Sequence, residues 1–340
     1  MYYDTLKPYF ELNKNDITVR VGNTPVIRIE VNGAEFYAKA EWFNYFEIVN
    51  SGFVHGSIKM RAAYYMVRDY INRYGSVNRT VVEPTSGNTG IAMAALAKLY
   101  GFRFMPIVSY KVTEEVKNIL SSLGSPPLEV DDNLCPRVSN TDTDQAIALA
   151  RSYALSPATR DKYVWLNQYE NEANPRAHEE TTAREILNFG NGIEAVITGI
   201  GTGGSYVGLK RGLKGKGIEV IGVQPQRNHR IQGLRNLSES ALVPKILEGE
   251  ANTASEFPVV RDDDAFDMVR KLFSKYGILL GPSSGITAWY AYQLARKGKK
   301  VMAIFADTGQ NYRGLYESIG LKADGYDFKS MYNAKSLPLA

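Results

Sequence analysis

Short apolar runs of β character alternate with helical patterns along almost the whole chain, and this alternation most limits the folds open to it. Residues 80–83, 102–108, 195–200 and 301–305 are near-continuous in apolar residues, as strands covered on both faces require. Residues 35–41, 128–130, 163–166, 219–223 and 277–280 read as further strands. Helical patterns fill the gaps at 58–74, 89–100, 114–123, 144–153, 175–189, 206–213, 263–276 and 284–296. Several carry boundary signals: Thr113 precedes Glu114-Glu115, and Asp262-Asp263-Asp264 open a helix that Gly277 closes. Strand and helix in this order predict an α/β fold of mostly parallel open sheets flanked by crossover helices. Residues 45–56, 133–142 and 227–254 look irregular, and long loops of an α/β protein often carry function.

Composition narrows the function classes. A chain of 340 residues has room for about two domains. Lys and Arg number 40 against 36 Asp and Glu, a net charge of +4 with the signs interspersed. That is too weak for a nucleic-acid footprint but suits a small anionic substrate. A lone Cys135 excludes a disulfide framework and a cysteine zinc site, and fits a reducing cytoplasm. No apolar run approaches the ~18 residues of a membrane span. The first ten residues contain Asp4 and lack the basic-then-apolar pattern of a secretory signal. His55, His178 and His229 are widely spaced, and His178-Glu179 lacks the second histidine of a zinc helix, so no metal is expected. Ser57 and Lys59 are two residues apart, which excludes a Ser-x-x-Lys hydrolase.

Four junctions are unusually rich in Gly, Ser and Thr. Three follow strands, at the carboxyl edge where parallel sheets bind ligands. In the first, a strand from Ala195 enters Gly199-Ile-Gly-Thr-Gly-Gly-Ser205, where backbone N–H groups and a helix start can converge on a phosphate. The spacing also satisfies a dinucleotide fingerprint, but the next strand runs into Gln224-Pro225 instead of the acid such a site needs. The second, Glu83-Pro-Thr-Ser-Gly-Asn-Thr-Gly90, gathers more hydroxyl and amide groups than a single helix cap requires, and suits a carboxylate. Gly281-Pro-Ser-Ser-Gly285 is the third; alone it reads more readily as a cap. The fourth, Ser57-Ile-Lys59-Met-Arg61, follows an irregular stretch and puts a lysine at a helix start, where the dipole disfavours its charge and promotes a nucleophilic amine.

Together these motifs resemble the pyridoxal-phosphate enzymes of fold type II, in the cysteine synthase branch that includes O-phosphoserine sulfhydrylases. The resemblance runs from about Gly22 to Tyr312 and adds Gly22-Asn-Thr-Pro25, Leu166-Asn-Gln168 and His178-Glu-Glu-Thr-Thr-Ala-Arg-Glu185. It implies that Lys59 holds pyridoxal 5'-phosphate covalently and later moves the α-proton. It implies a phosphate loop of Gly201, Thr202, Gly203, Gly204 and Ser205, with Asn88 on the ring hydroxyl oxygen and Ser283 facing the pyridine nitrogen. Thr85, Ser86, Thr89 and Gln168 would bind the amino-acid carboxylate. Arg235, in Ile231-Gln-Gly-Leu-Arg-Asn236, matches the pattern of phosphoserine-using members, and a guanidinium offers a phosphate a bidentate fork.

The same resemblance implies a tryptophan synthase β-like fold with a small domain at 44–156 and a large one formed by 1–43 and 157–340. It implies a cytoplasmic homodimer acting on small molecules, a transferase or lyase replacing the β-substituent of an O-activated L-serine with sulfide. The alternatives are a serine-dependent β-synthase of the cystathionine β-synthase kind, a relative using another nucleophile, and a non-catalytic ligand- or dinucleotide-binding protein. One departure stands out. The family reads Asn-Pro shortly before Ser-x-Lys-Asp-Arg, whereas here twelve residues separate Asn44 from Ser57 and Met60 replaces the Asp. The partner of Arg61 is thereby left open.

Overall fold

A computed structural model describes residues 8–14, 16–131, 145–238, 243–250, 257–322 and 325–340. Cys135 and the stretch 133–142 lie outside them. Two sheets follow the expected α/β plan. Four parallel strands stand in the order Tyr163–Trp165, Thr80–Pro84, Phe104–Ser109, Leu128–Val130. Six more are ordered Val259–Val260, Glu219–Pro225, Ala195–Gly199, Val301–Phe305, Ala34–Ala40, Val26–Val31, and all pair in parallel except the last two. Val301–Phe305 is buried at every residue, between neighbours on both edges and helices on the faces, which is why its apolar run is unbroken.

The fold departs from the sequence expectation in two places. A third sheet, antiparallel throughout, joins Phe10–Lys14, Ile17–Val21, Tyr45–Ile48 and Phe53–Gly56. Its last two strands occupy the stretch expected to be irregular. They are four residues each, and the turn between them ends at Gly52 with φ of +59°, a conformation that favours glycine. The expected strand at 277–280 is reduced to a single bridge between Leu280 and Thr308, because Gly277 still caps the preceding helix and Gly281 opens the next. The expected helix at 175–189 is present without a break from Ala173 to Phe189, with a π-helical turn at His178–Thr182 between Ala173–Ala177 and Ala183–Phe189.

A fully buried ion network ties these parts together. Arg61 Nε donates to Glu41 Oε2 at 2.7 Å and its Nη2 to Glu41 Oε1 at 2.8 Å. The same guanidinium reaches Glu185 through Nη1 at 2.6 Å and Nη2 at 2.8 Å. Lys39 completes it, with Nζ 2.7 Å from Glu185 Oε2. Two cations thus meet two carboxylates. Glu185 also accepts the backbone N–H groups of Asn23 and Thr24, and Asn44 Oδ1 accepts that of Gly22. The Gly22-Asn-Thr turn, the Glu185 motif and the start of the Arg61 helix are one structural unit. Met60, beside Arg61, lies in the apolar core.

Candidate active site

The carboxyl ends of the parallel strands at Pro84, Gly199 and Phe305 feed loops into one cavity of about 630 Å³. Lys59 opens the helix Lys59–Tyr74, and Ile58 donates its N–H to Ala306 O at 2.8 Å, which fixes that helix start to the end of Val301–Phe305. Lys59, Ser86, Asn88, Thr89, Gln168, Gly201, Thr202 and Arg235 line this cavity. A narrower recess of about 60 Å³ shares Lys59, Asn88, Gly201 and Thr202 with it and adds Ser205 and Ser283. Ten of the thirteen expected site residues therefore converge on one place.

The other three shape the loops. Thr85 lines neither recess; its Oγ1 accepts the N–H groups of Gly87 at 3.1 Å and Gly90 at 2.9 Å and so folds the loop back on itself. Gly203 adopts φ of +86° just before the helix Gly204–Gly212, and Gly204 packs so tightly on the Asn174 amide that no Cβ fits. A Cβ on Gly201 would lie 2.5 Å from the Gly233 carbonyl oxygen. At Gly201, Gly203 and Gly204 only bare backbone fits, and bare backbone at a helix start is what an anionic group needs.

Burial moves the pKa of Lys59 down to about 8, against the pull of Asp307 and with the help of the nearby Arg235 charge. Burial likewise pushes Asp307 up to about 6, opposed by hydrogen bonds from Tyr312, Asn88 and Ser283 and by the Lys59 charge. Asp307 Oδ2 accepts from Asn88 Nδ2 and from the Tyr312 hydroxyl, each at 2.6 Å. Gln168 is held twice: its Oε1 accepts the Thr89 hydroxyl at 2.8 Å and its Nε2 donates to Pro84 O at 3.1 Å. Beneath it Glu83, fully buried with its pKa raised by burial to about 7, accepts the N–H groups of Asn167 at 3.0 Å and Gln168 at 3.1 Å.

Sequence reasoning missed Asp307, Tyr312, Asn311, Asn174 and Glu83. The first had a signal: Asp307-Thr-Gly309 directly follows an apolar strand, a further strand end of the same kind. The others are visible only through their contacts. Asn174, for example, bridges the Gln168 carbonyl at 2.8 Å and Thr202 Oγ1 at 3.0 Å, linking two loops remote in sequence.

A half-buried amine with a lowered pKa beside a glycine-built anion cradle defines a site for a phosphorylated carbonyl cofactor. The chain belongs to the pyridoxal-phosphate dependent enzyme family, which matches residues 17–307. It is 36% identical over 311 residues to a cysteine synthase of Aquifex aeolicus, covering 86% of this chain and 88% of that one. Among solved structures, an O-ureido-L-serine synthase superposes with TM-score 0.72 at 27% identity, covering 91% of this chain and 96% of the other. An O-acetylserine dependent cystathionine beta-synthase from Helicobacter pylori superposes with TM-score 0.72 at 28% identity, covering 86% and 95%. The fold is that of fold type II, and the protein is an enzyme that uses pyridoxal phosphate. The dinucleotide-binding alternative gives way accordingly. Among the described residues no cluster of three or more His, Cys, Asp or Glu could hold a metal ion, and no helix is long and apolar enough to cross a membrane.

Proposed function

We propose that this enzyme replaces the β-substituent of an O-activated L-serine with sulfide to give L-cysteine, and that it takes O-phosphoserine in preference to O-acetylserine. The observation that carries the preference is Arg235. It lines the cavity that Lys59 opens into, its Nη2 donates to the Tyr169 hydroxyl at 3.1 Å, and its charge is near enough to depress the Lys59 pKa. A phosphate can take two parallel bonds from a guanidinium, whereas an acetyl ester has no charge to answer it.

In this reading the bound cofactor supplies an electron sink for the α-carbon. Lys59 Nζ holds that cofactor and then carries the α-proton, for which a pKa of about 8 leaves a useful neutral fraction near pH 7. The β-carbon–oxygen bond breaks with phosphate leaving, a carbon–sulfur bond forms, and the proton returns to the α-carbon. The Thr85–Thr89 loop, with Ser86 and Thr89, and Gln168 receive the carboxylate, and the loop from Gly201 to Ser205 receives the cofactor phosphate. The small domain is 44–156, extended by the strand Tyr163–Trp165 that pairs with Thr80–Val82. The enzyme works as a cytoplasmic homodimer. A second reading, a larger nucleophile in place of sulfide, draws support from the cavity's extent, since it reaches His229 and Leu315.

The test is a ratio. Cysteine formation from O-phosphoserine and from O-acetylserine is measured with sulfide for the wild type and Arg235→Ala. A charge-assisted bond is worth roughly 1.5–3 kcal/mol, so the variant should lose about 10- to 150-fold on phosphoserine. Acetylserine activity should stay within about twofold. Equal losses on both would make Arg235 structural and return O-acetylserine to the front.

A further inference from the structure

The hairpin Tyr45–Ile48 and Phe53–Gly56 fills the twelve residues between Asn44 and Ser57 that the family resemblance does not account for. Its inner face carries Phe46 opposite His55, both buried, and the two rings lie with centroids 6.1 Å apart. His55 reaches past the hairpin. Its Nε2 is 3.0 Å from Asn311 Oδ1, Asn311 Nδ2 donates to Asn88 Oδ1 at 2.7 Å, and Asn88 Nδ2 donates to Asp307 Oδ2 at 2.6 Å.

The direction of this relay is set at both ends. An ionised Asp307 can only accept, so Asn88 must turn its amide nitrogen toward it. The Asn88 carbonyl oxygen then needs a donor, which Asn311 supplies. The Asn311 oxygen needs one in turn, and a neutral histidine with its proton on Nε2 provides it. Burial keeps His55 neutral by lowering its pKa to about 4. What remains of Asn88 for the cavity is its second N–H, engaged only by a 3.5 Å approach to the Tyr312 hydroxyl. A reversed amide would offer a carbonyl oxygen there and repel the ring oxygen of the cofactor.

We propose that His55 is a positioning residue for the cofactor ring: through Asn311 it holds Asn88 with an N–H facing the cavity, which makes the hairpin part of the pyridoxal phosphate site. The inference rests on the reading of Asn88 as the partner of the ring hydroxyl oxygen. His55→Leu removes the donor while keeping an apolar bulk on Phe46, and His55→Gln restores an N–H. Pyridoxal phosphate affinity is measured by equilibrium dialysis with the cofactor-free variants. The balance between the ultraviolet and visible bands of the bound cofactor is recorded beside it, with Asn88→Ala as reference.

His55→Leu should weaken cofactor binding by about two- to tenfold, the worth of one hydrogen bond. It should also shift the band balance in the direction seen for Asn88→Ala, whereas His55→Gln stays within about twofold of the wild type with its spectrum. Combining His55→Leu with Asn88→Ala should shift the bands no further than Asn88→Ala alone. A wild-type spectrum and affinity in His55→Leu beside a shifted Asn88→Ala overturns the proposal and leaves the reading of Asn88 standing. Wild-type spectra in both overturn that reading and the proposal with it. Should His55→Leu fail to fold, Asn311→Ala breaks the relay at its next member and carries the same prediction.

Discussion

Lys59 and Arg61 are two residues apart at the start of one helix; Arg61 is fully buried while Lys59 is half-buried at the cavity wall, and their surroundings are opposite. Arg61 meets Glu41 and Glu185 through four charge-assisted hydrogen bonds, and although burial opposes its charge, those carboxylates hold its pKa above the usual value. Glu185 answers in kind: burial alone would raise its pKa, but Arg61 and Lys39 bring it well below the carboxylate range. Among the described residues Lys59 has no such company. Its nearest countercharge, Asp307, is itself shifted by burial toward neutrality, and Arg235 repels. The contrast separates a cation that holds the fold from one left without full compensation. A paired buried charge is inert, and a partly buried amine without full compensation is poised to lose its proton.

The largest expected effect falls on turnover. Lys59→Ala should lower kcat by at least the roughly 10²- to 10⁴-fold that a general base contributes, while the cofactor-free protein stays folded. A steady-state assay beside a melting curve checks both. Arg61→Met should do the reverse, leaving two buried carboxylates against Lys39 alone and costing about 3–5 kcal/mol in urea unfolding. If instead Arg61→Met folds normally and only kcat falls, the contrast between the two cations is wrong.

Next comes the pH dependence of stability. A lysine whose folded pKa of about 8 lies below the ordinary 10.5 binds its proton less readily when folded, so stability rises with pH between those values. Lys59→Met should remove that rise from cofactor-free protein and be the more stable below pH 8. Identical slopes for the two proteins would show that Lys59 is solvated. The smallest effect concerns Glu83, whose two oxygens each accept a backbone N–H. Glu83→Gln turns an amide N–H against one of them and should cost about 1–3 kcal/mol. It should also raise KM for the amino acid through the Gln168 loop, which a change in stability alone would leave where it is.

Much of this architecture was legible in the sequence because its signals are local. Apolar runs such as Val301–Phe305 report double burial directly, and glycine-rich strand ends such as the one after Gly199 report a close approach of backbone to ligand. The hairpin Tyr45–Gly56 was not legible: strands of four residues are too short for alternation to register, and Asn50-Ser51-Gly52 looks like loop. Nor were the partners of Arg61, since Glu185 is 124 residues away and no pattern around it announces an ion pair. Thr85 adds a detail that spacing does not encode: its hydroxyl accepts two N–H groups of its own turn and so shapes the loop expected to meet the carboxylate.

The central claim is that the lysine left without full compensation is the one that carries the chemistry. Reducing the pyridoxal phosphate-loaded protein with borohydride, digesting it and locating the phosphopyridoxyl group by mass spectrometry tests it most directly. The group should be found on the peptide containing Lys59, and Lys59→Ala should yield no labelled peptide. A label on Lys39, or on any surface lysine with Lys59 unmodified, would contradict the account.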